Sequence, residues 1–194
     1  MTLTGILNYL FTQGDDFIVG RLLGVEALGL YQVAYKISTL PITEVAGVVH
    51  KVAFPVLSKI QNDKKRLIRA FKKTLFFSAA LSIPFGLFIL FLPVTIINVF
   101  LGSDWLGIAG VLRVLAAYGI LRASTSMTSA LFLAIKKQEY VTGIDFVATL
   151  ALSITIIPFV NRLGILGAGC SAFSGWICAI PVMYYFYKKE FSSK

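Results

Sequence analysis

The sequence predicts an all-α integral membrane protein, a six-helix transmembrane bundle that forms a single lobe over residues 1–194. Hydrophobic residues make up 57% of the chain and the mean hydropathy is +0.83, whereas soluble domains are about 45–50% apolar. The apolar residues fall into six runs, each about as long as the 20 residues that cross a bilayer. The connections between these runs are short, and they alternate in charge.

The six predicted spans lie near residues 3–22, 28–50, 74–100, 106–134, 140–160 and 164–187. The second extends toward Ile60. The second and third spans each contain two prolines, which bend or end a helix: Pro41, Pro55, Pro84 and Pro93. These prolines do not argue against spanning, because neighbouring helices in a membrane can satisfy the freed backbone groups.

The charges between the runs predict the orientation. The connection KIQNDKKRLIRAFKK (59–73) holds seven basic residues, and two further basic segments, 136–137 and 188–194, lie on the same side. The opposite connections contribute only Arg21 and Arg162. By the positive-inside rule, the basic side and both termini are cytoplasmic. The net charge of +9 therefore reflects topology, and we expect no nucleic-acid partner.

Several ionisable residues fall inside the predicted spans, where a charge is unfavourable unless it faces a bundle interior or a wet cavity. Asp15 lies about 13 Å from the outer end of its span, and Lys36 and Arg113 lie about 10–12 Å from theirs. Opposite charges at similar depth on three helices either pair or line one aqueous cavity. Asp16 points about 100° away from Asp15 on a helix, so the two carboxylates are expected to have different roles.

The second span carries a polar stripe at helical spacing, formed by Lys36, Leu40, Thr43, Glu44, Gly47, His50 and Lys51. We interpret Lys36 and Glu44 as cavity-lining residues, whereas Lys51 either lines the cavity or snorkels to the interface.

Arg113 and Arg122 are half a turn out of phase, so one face does not present both. We place Arg113 in the cavity; Arg122 is either a structural tether or an inner-gate residue. A buried guanidinium suits a phosphate ligand, whose oxygens it binds bidentately.

Motifs of catalysis and of metal binding are missing from the sequence, which has one histidine and no HExxH, Walker A, GxSxG or metal-spaced Cys/His set. We interpret Cys170 and Cys178 as small packing residues. The string GILGAG (164–169) opens a membrane helix and is not a nucleotide motif. GRLLG (20–24) matches GxxxG but stands at a span end, which favours a turn. We expect no enzymatic activity, no metal and no cofactor.

Three strings, taken together in order and spacing, resemble a known family: DDFIVGRLLGVEALGLYQVAYKISTLP (15–41), VAFPVLSKIQNDKKRLIRAFKK (52–73) and LGSDWLGIAGVLRVLAAYGILR (101–122). The family is the polysaccharide transporter family, the O-antigen and exopolysaccharide flippases of the multidrug/oligosaccharidyl-lipid/polysaccharide exporter superfamily. The colanic- and teichuronic-acid type is the most similar. The resemblance covers most of the chain.

The resemblance implies one lobe, the C-terminal half, of a twelve-helix, two-lobe protein of the bacterial inner membrane. It implies a flippase that moves undecaprenyl-pyrophosphate-linked oligosaccharide to the outer leaflet by alternating access. The implied partners are this substrate, membrane lipid, and a missing N-terminal lobe or a second copy of the chain. A cationic cavity is implied at Lys36, Arg113 and Arg122, with Asp15 balancing charge or binding a coupling ion.

Two alternative functions stay open at this point. A multidrug exporter of the same superfamily, coupled to a cation through Asp15, predicts a mostly acidic cavity, which the intramembrane basic residues disfavour. An inactive, truncated membrane protein fits the absence of a first lobe. Against it stands the number of ionisable residues kept at depth in the membrane, which a protein without a function has no reason to retain.

Overall fold

A computed structural model of the chain describes the backbone of residues 3–191 and the side chains of residues 14–191. Its helices are α1 (Leu3–Lys59), α2 (Lys64–Phe91), α3 (Pro93–Phe100), a 3-10 helix (Ser103–Ile108), α4 (Ala109–Ala134), α5 (Gln138–Leu163) and α6 (Ile165–Phe191). Within the described part, five helices are long and apolar enough to cross a membrane. The predicted all-α bundle of six helices is confirmed.

Helix α1 folds back on itself at Gly24. This residue has φ 89° and ψ 174°, a left-handed conformation that glycine adopts without steric conflict. The Tyr31 hydroxyl donates to a carboxylate oxygen of Asp15 at 2.7 Å, although these residues would lie about 24 Å apart along an unbroken helix. We therefore divide α1 into an N-terminal arm (3–23) and a C-terminal arm (25–59). GRLLG ends in a turn, as the sequence predicted.

The remaining turns fall into two classes that follow the charge pattern. Gly102 (φ 91°) and Gly164 (φ 61°) make turns at the same end of the bundle as Gly24. At the other end the turns carry charged residues: Asp63 accepts a hydrogen bond from the Arg66 backbone N–H at 3.0 Å and caps α2, and Lys136 adopts φ 62°. The end with few charges is therefore built on glycines, and the other end is basic.

The prolines affect the helices differently from the sequence expectation. The C-terminal arm of α1 runs through both of its prolines to Lys59 without ending at either, and α2 also continues through Pro84. The break comes at Leu92, and Pro93 then opens α3 at its first position, where a missing backbone N–H leaves no hydrogen bond unmade. The predicted third span therefore corresponds to parts of two helices, α2 and α3.

Helices α5 and α6 pack closely through small residues. Gly167, Ser171 and Gly175 recur every four residues along α6 and are buried. A Cβ atom on Gly167 would overlap the carbonyl of Phe159, and one on Gly175 would lie 2.8 Å from the carbonyl oxygen of Ala148. Small residues at this spacing let membrane helices approach until their backbones touch. The pair is therefore held by close backbone packing.

Helix α4 lies at the centre of the bundle, between α1, α2 and α6. Gly119 of α4 meets Ile42 of the C-terminal arm, and Gly86 of α2 leaves room for Ile120 of α4. These contacts fix the rotation of α4 about its axis, and with it the direction in which each α4 side chain points. The cavity described next lies between α4 and the C-terminal arm.

Candidate substrate cavity

A cavity of about 330 Å³, with arginine, histidine and hydroxyl-bearing residues in its lining, lies between the C-terminal arm of α1 and helix α4. The residues that line it are Tyr35, Leu40, Thr43, Ala46, Gly47, His50, Arg122, Ala123 and Ser126. Arg122 stands at the middle of α4, about 20 Å from the first residue of that helix. The cavity therefore exposes a guanidinium group at about half the depth of the bundle.

Two tyrosine hydroxyl groups hold Arg122 in place. Its Nη1 atom donates to the hydroxyl oxygen of Tyr35 at 3.1 Å and to that of Tyr118 at 2.8 Å. The guanidinium carbon lies 5.9 Å from the centre of the Tyr118 ring. Among the side chains of residues 14–191, no carboxylate forms an ion pair with Arg122. The positive charge is therefore oriented by neutral partners and is not cancelled by a direct anionic one.

Asp145 of α5 lies beyond ion-pair distance of Arg122 but near enough to interact with its charge. Asp145 falls within the predicted span 140–160, and no role was predicted for it. Counted from the basic ends of their helices, Arg122 lies about 18 Å deep and Asp145 about 10 Å deep. Both residues therefore fall in the half of their helices nearer the basic end, and the sequence does not show which faces of α4 and α5 meet.

The two adjacent carboxylates have different surroundings. Asp15 is 4% exposed and accepts hydrogen bonds from the Tyr31 hydroxyl and, at 3.0 Å, from the Asp16 backbone N–H. Asp16 is half-buried and accepts from Gln32 Nε2 at 2.9 Å. Each carboxylate thus links the N-terminal arm to a different residue of the C-terminal arm. The two hydrogen bonds hold the arms of the α1 hairpin together.

A tract of three tyrosines, two of them buried (Tyr31 and Tyr118) and one half-buried (Tyr35), connects Asp15 with Arg122. The ring centres of Tyr31 and Tyr35 lie 6.4 Å apart, as do those of Tyr35 and Tyr118. Tyr31 contacts Asp15 at one end of the tract, and the other two tyrosines contact Arg122 at the opposite end. These tyrosines were not among the predicted site residues, although the four-residue spacing of Tyr31 and Tyr35 puts both on one helix face.

The polar stripe predicted on α1 is open. Lys36 and Glu44 are exposed, as are Leu40 and Lys51, while the other three residues of the stripe are half-buried. Leu40, Thr43, Gly47 and His50 of the stripe line the cavity. Lys36, Glu44 and Lys51 lie outside its lining, on the exposed surface of the same arm beside it. Within the described part of the chain, this surface has no other helix packed over it.

The structure does not bring all of the predicted site residues together. Arg113 is exposed, and it lies half a turn of α4 away from Arg122, so it does not line this cavity. Asp15 contacts Tyr31 and Asp16 and does not pair with Lys36 or Arg113, because its carboxylate is buried whereas both basic residues are exposed. Within residues 14–191, no three His, Cys, Asp or Glu side chains group together as a metal site.

Comparisons with known proteins place this geometry in context. A family described as polysaccharide biosynthesis protein matches residues 1–110. Teichuronic acid biosynthesis protein TuaB of Bacillus subtilis (strain 168) is 31% identical over 129 residues, covering 66% of this chain and 27% of the relative. Lipopolysaccharide biosynthesis protein WzxC of Escherichia coli (strain K12) is 28% identical over 134 residues, covering 69% of this chain and 27% of the relative.

A solved structure shares the fold. The lipid II flippase MurJ, in an inward closed conformation, superposes with a TM-score of 0.83 at 22% sequence identity. The match covers 95% of this chain and 41% of MurJ. The chain thus spans less than half the length of MurJ and about a quarter to two fifths of the length of the curated relatives that it matches.

Proposed function

The chain belongs to the polysaccharide biosynthesis protein family, and from this premise we propose that it acts as the C-terminal lobe of a flippase. The flippase carries an undecaprenyl-pyrophosphate-linked oligosaccharide across the bacterial inner membrane for surface polysaccharide synthesis. The MurJ-like fold supports a transport role. In this proposal the chain moves its substrate without breaking or forming covalent bonds.

The observation that carries the proposal is the tyrosine-held Arg122 in its open cavity. A pyrophosphate presents several anionic oxygens, and a planar guanidinium binds such oxygens through paired N–H groups. The hydrogen bonds of Arg122 to tyrosine use only Nη1, so the other nitrogens remain available to a ligand. We propose that Lys36 adds a second cation, and that Glu44 and the hydroxyl groups beside the cavity bind sugar hydroxyls.

We propose that a second lobe completes the transporter. The polar surface on the C-terminal arm is uncovered, and opposing it with a second polar surface would create an enclosed aqueous cavity. The second lobe is either an N-terminal lobe of a longer protein or another copy of this chain, and rocking of the two lobes gives alternating access. Asp15 and Asp16 lie at the α1 hairpin of the moving lobe. We propose that these carboxylates balance charge or bind a coupling ion.

The proposal is tested by alanine substitutions in the intact transporter. Arg122→Ala and Lys36→Ala should each lower surface polysaccharide by about tenfold or more, since each removes a charged contact worth roughly 1.5–3 kcal/mol, while the amount of protein in the membrane stays normal. Arg113→Ala is the matched variant, because it removes an exposed arginine from the opposite face of α4. Normal polysaccharide from both Arg122→Ala and Lys36→Ala cells would refute the cavity assignment.

A cation-coupled multidrug exporter is the second candidate, and the buried carboxylate of Asp15 is the observation that favours it. Such a protein binds cationic, apolar drugs, which the positive charge of Arg122 would repel. Export of cationic dyes from cells that produce the intact transporter separates the two functions. Dye export that persists while the lipid-linked substrate is not moved would favour the exporter.

A further inference from the structure

Tyr140, near the start of α5, lies at the centre of a cluster of charged residues at the basic end of the bundle. Its buried ring stacks on Phe186 of α6, with ring centres 4.5 Å apart and an interplanar angle of 9°. The same ring meets Phe132 of α4 edge-on, with ring centres 5.4 Å apart. Side chains from three helices thus fix the position of the Tyr140 ring.

Two lysines from separate segments converge on this ring. The Nζ atom of Lys137, in the turn between α4 and α5, lies 5.6 Å from the ring centre, and that of Lys189, near the end of α6, lies 5.9 Å from it. Ammonium groups are attracted to an aromatic ring at such distances. The two positive charges are therefore held beside one ring, although they come from different parts of the chain.

Further charged residues gather at the same place. The Tyr140 hydroxyl donates to a carboxylate oxygen of Glu190 at 3.5 Å, and Lys64 of α2 donates to the backbone oxygen of Glu190 at 3.4 Å. Lys137 also forms an ion pair with Glu139 at 3.5 Å. We define the lysine corner as the lysines that make these contacts and those next to them in sequence: Lys64, Lys136, Lys137, Lys188 and Lys189. The two glutamates do not neutralise these five lysines, so the corner stays positive.

The exposed face of α6 beside the lysine corner changes from charged to aromatic and then to apolar. Lys189, Tyr185, Pro181 and Cys178 recur at spacings of four, four and three residues, so they share one helix face, and all four are exposed. This stripe rises about 17 Å along the helix, about half of the roughly 30 Å hydrocarbon core of a bilayer. It therefore matches one phospholipid molecule in length and in the order of its polar and apolar parts.

We propose that the lysine corner binds an anionic phospholipid, with the phosphate at the lysines, the ester region at Tyr185 and an acyl chain along the exposed stripe of α6. Basic pockets between the ends of membrane helices bind anionic headgroups, and tyrosine side chains favour the level of the headgroups. The corner is built on α2, α5, α6 and the turn before α5, none of which lines the cavity that contains Arg122. The proposal is therefore independent of the transported substrate.

The basic residues further along α2 provide a matched control surface. Lys72 and Lys73 are exposed, and Phe76, one turn later, is 69% exposed, close to the 62% of Tyr185. This surface also combines lysines with an exposed aromatic residue, but its lysines come from a single helix. It separates binding at a built site from the general attraction of anionic lipid to positive charge.

The first test measures thermal unfolding of the intact transporter in detergent. Dioleoylphosphatidylglycerol should raise the melting temperature, because a ligand that binds only the folded state stabilises it, whereas phosphatidylethanolamine and inorganic phosphate should not. Lys137→Gln/Lys189→Gln should weaken the apparent affinity for phosphatidylglycerol about twentyfold, at roughly fivefold for each lysine. Lys72→Gln/Lys73→Gln, which removes the same charge, should leave that affinity nearly unchanged.

Two results of this test would overturn the proposal. Equal weakening by the two double variants would mean that the lipid is attracted to the basic end as a whole and has no site at the lysine corner. A rise in melting temperature with inorganic phosphate as large as that with phosphatidylglycerol would assign the corner to a small anion and not to a lipid.

The second test locates the lipid without removing any lysine. Benzoylphenylalanine replaces Tyr185 or, as the control, Phe76, and each variant is irradiated in vesicles of phosphatidylethanolamine and phosphatidylglycerol, with one of the two lipids tritiated. The ratio of phosphatidylglycerol to phosphatidylethanolamine labelling should be about fivefold higher at position 185 than at position 76. Equal ratios at the two positions would refute the assignment of the site.

Discussion

At the scale of single residues, the arrangement around Arg122 explains how a positive charge inside a membrane protein remains available to an anionic ligand. A carboxylate partner would make the site neutral and would compete with any anionic ligand. Hydroxyl groups fix the orientation of the guanidinium and leave its charge unneutralised. Hydrogen bonds made by a charged group are stronger than those between neutral groups, so this orientation is well determined.

Removing one of these hydroxyls tests their role. Tyr118→Phe deletes the 2.8 Å hydrogen bond to Arg122 and keeps the ring, so we expect a loss of about 1–3 kcal/mol in stability together with weaker transport. Thermal unfolding in detergent and surface polysaccharide measure the two effects. Tyr184→Phe, at an exposed tyrosine, is the control. Unchanged values for both Tyr118→Phe measurements would show that the hydroxyl does not position the guanidinium.

Asp15 and Asp16 are expected to respond differently to neutralisation. Asp15→Asn keeps an acceptor for the Tyr31 hydroxyl, so the fold should persist, whereas Asp15→Leu leaves that buried hydroxyl unsatisfied and should destabilise the protein by about 1–3 kcal/mol. If Asp15 carries the coupling charge, Asp15→Asn loses transport at a normal melting temperature. Asp16→Asn should have a smaller effect on both measurements. Normal transport by Asp15→Asn would remove Asp15 from the coupling mechanism.

The sequence predicted part of the site, and the missing part has one cause. The polar stripe containing Lys36 and Glu44 followed from helical spacing, and that stripe is open in the structure. The pairing of Arg122 with Tyr35 did not follow, because the two residues lie 87 positions apart along the chain. Contacts of that kind depend on the rotation of one helix against another, which Gly86 and Gly119 fix through packing that hydropathy does not encode.

At the scale of helices, Gly24 defines the hairpin of α1. Gly24→Ala should destabilise the protein by about 1–2 kcal/mol, since a Cβ atom is unfavourable in a left-handed conformation. Gly29→Ala is the matched control: it lies in the C-terminal arm with open space around its Cα, and alanine there should stabilise the helix by about 0.5–1 kcal/mol. Opposite shifts in melting temperature are expected, and equal shifts would contradict the proposed role of the turn.

The contact between α5 and α6 gives a second prediction for the helices. Gly167→Ala would place a methyl group on the carbonyl of Phe159, so the two backbones must separate. We expect a loss of about 1–3 kcal/mol, typical of overpacking, visible as a lower melting temperature in detergent. Gly14→Ala, with nothing within 4 Å of its Cβ position, should not lower it. A melting temperature unaffected by Gly167→Ala would show that the helices can part freely.

At the start of α2, the hydropathy pattern predicts the first residue of the helix incorrectly. The charged segment after Lys64 resembled a loop, so the predicted span began near residue 74. The structure instead starts the helix at Lys64, because Asp63 caps its first turn. Leu67 and Phe71 are buried on one face, whereas the neighbouring basic residues Arg69 and Lys72 are exposed. A short amphipathic stretch of this kind is helical, but it lacks the hydropathy by which spans are recognised.

At the scale of the whole molecule, the alternation of turns makes the topology testable. We expect Gly24, Gly102 and Gly164 to mark the outer side, and the Asp63 and Lys136 turns to face the cytoplasm. In a variant with Cys170 and Cys178 replaced, a membrane-impermeant maleimide should label Ser103→Cys and Asn161→Cys in intact cells. Asn62→Cys should react only after the cells are opened. The reverse pattern would invert the proposed orientation.

The glycine turns also bear on which substrates can leave the protein. Within the described chain, the turns at Gly24 and Gly164 join their helices almost directly, and only a short 3-10 helix follows Gly102. No loop at that end is long enough to fold over an emerging glycan. For the flippase proposed above, we therefore expect this lobe to bind the phosphate-bearing end of the substrate without selecting the number of sugars, so that glycans of one repeat or of several leave equally well.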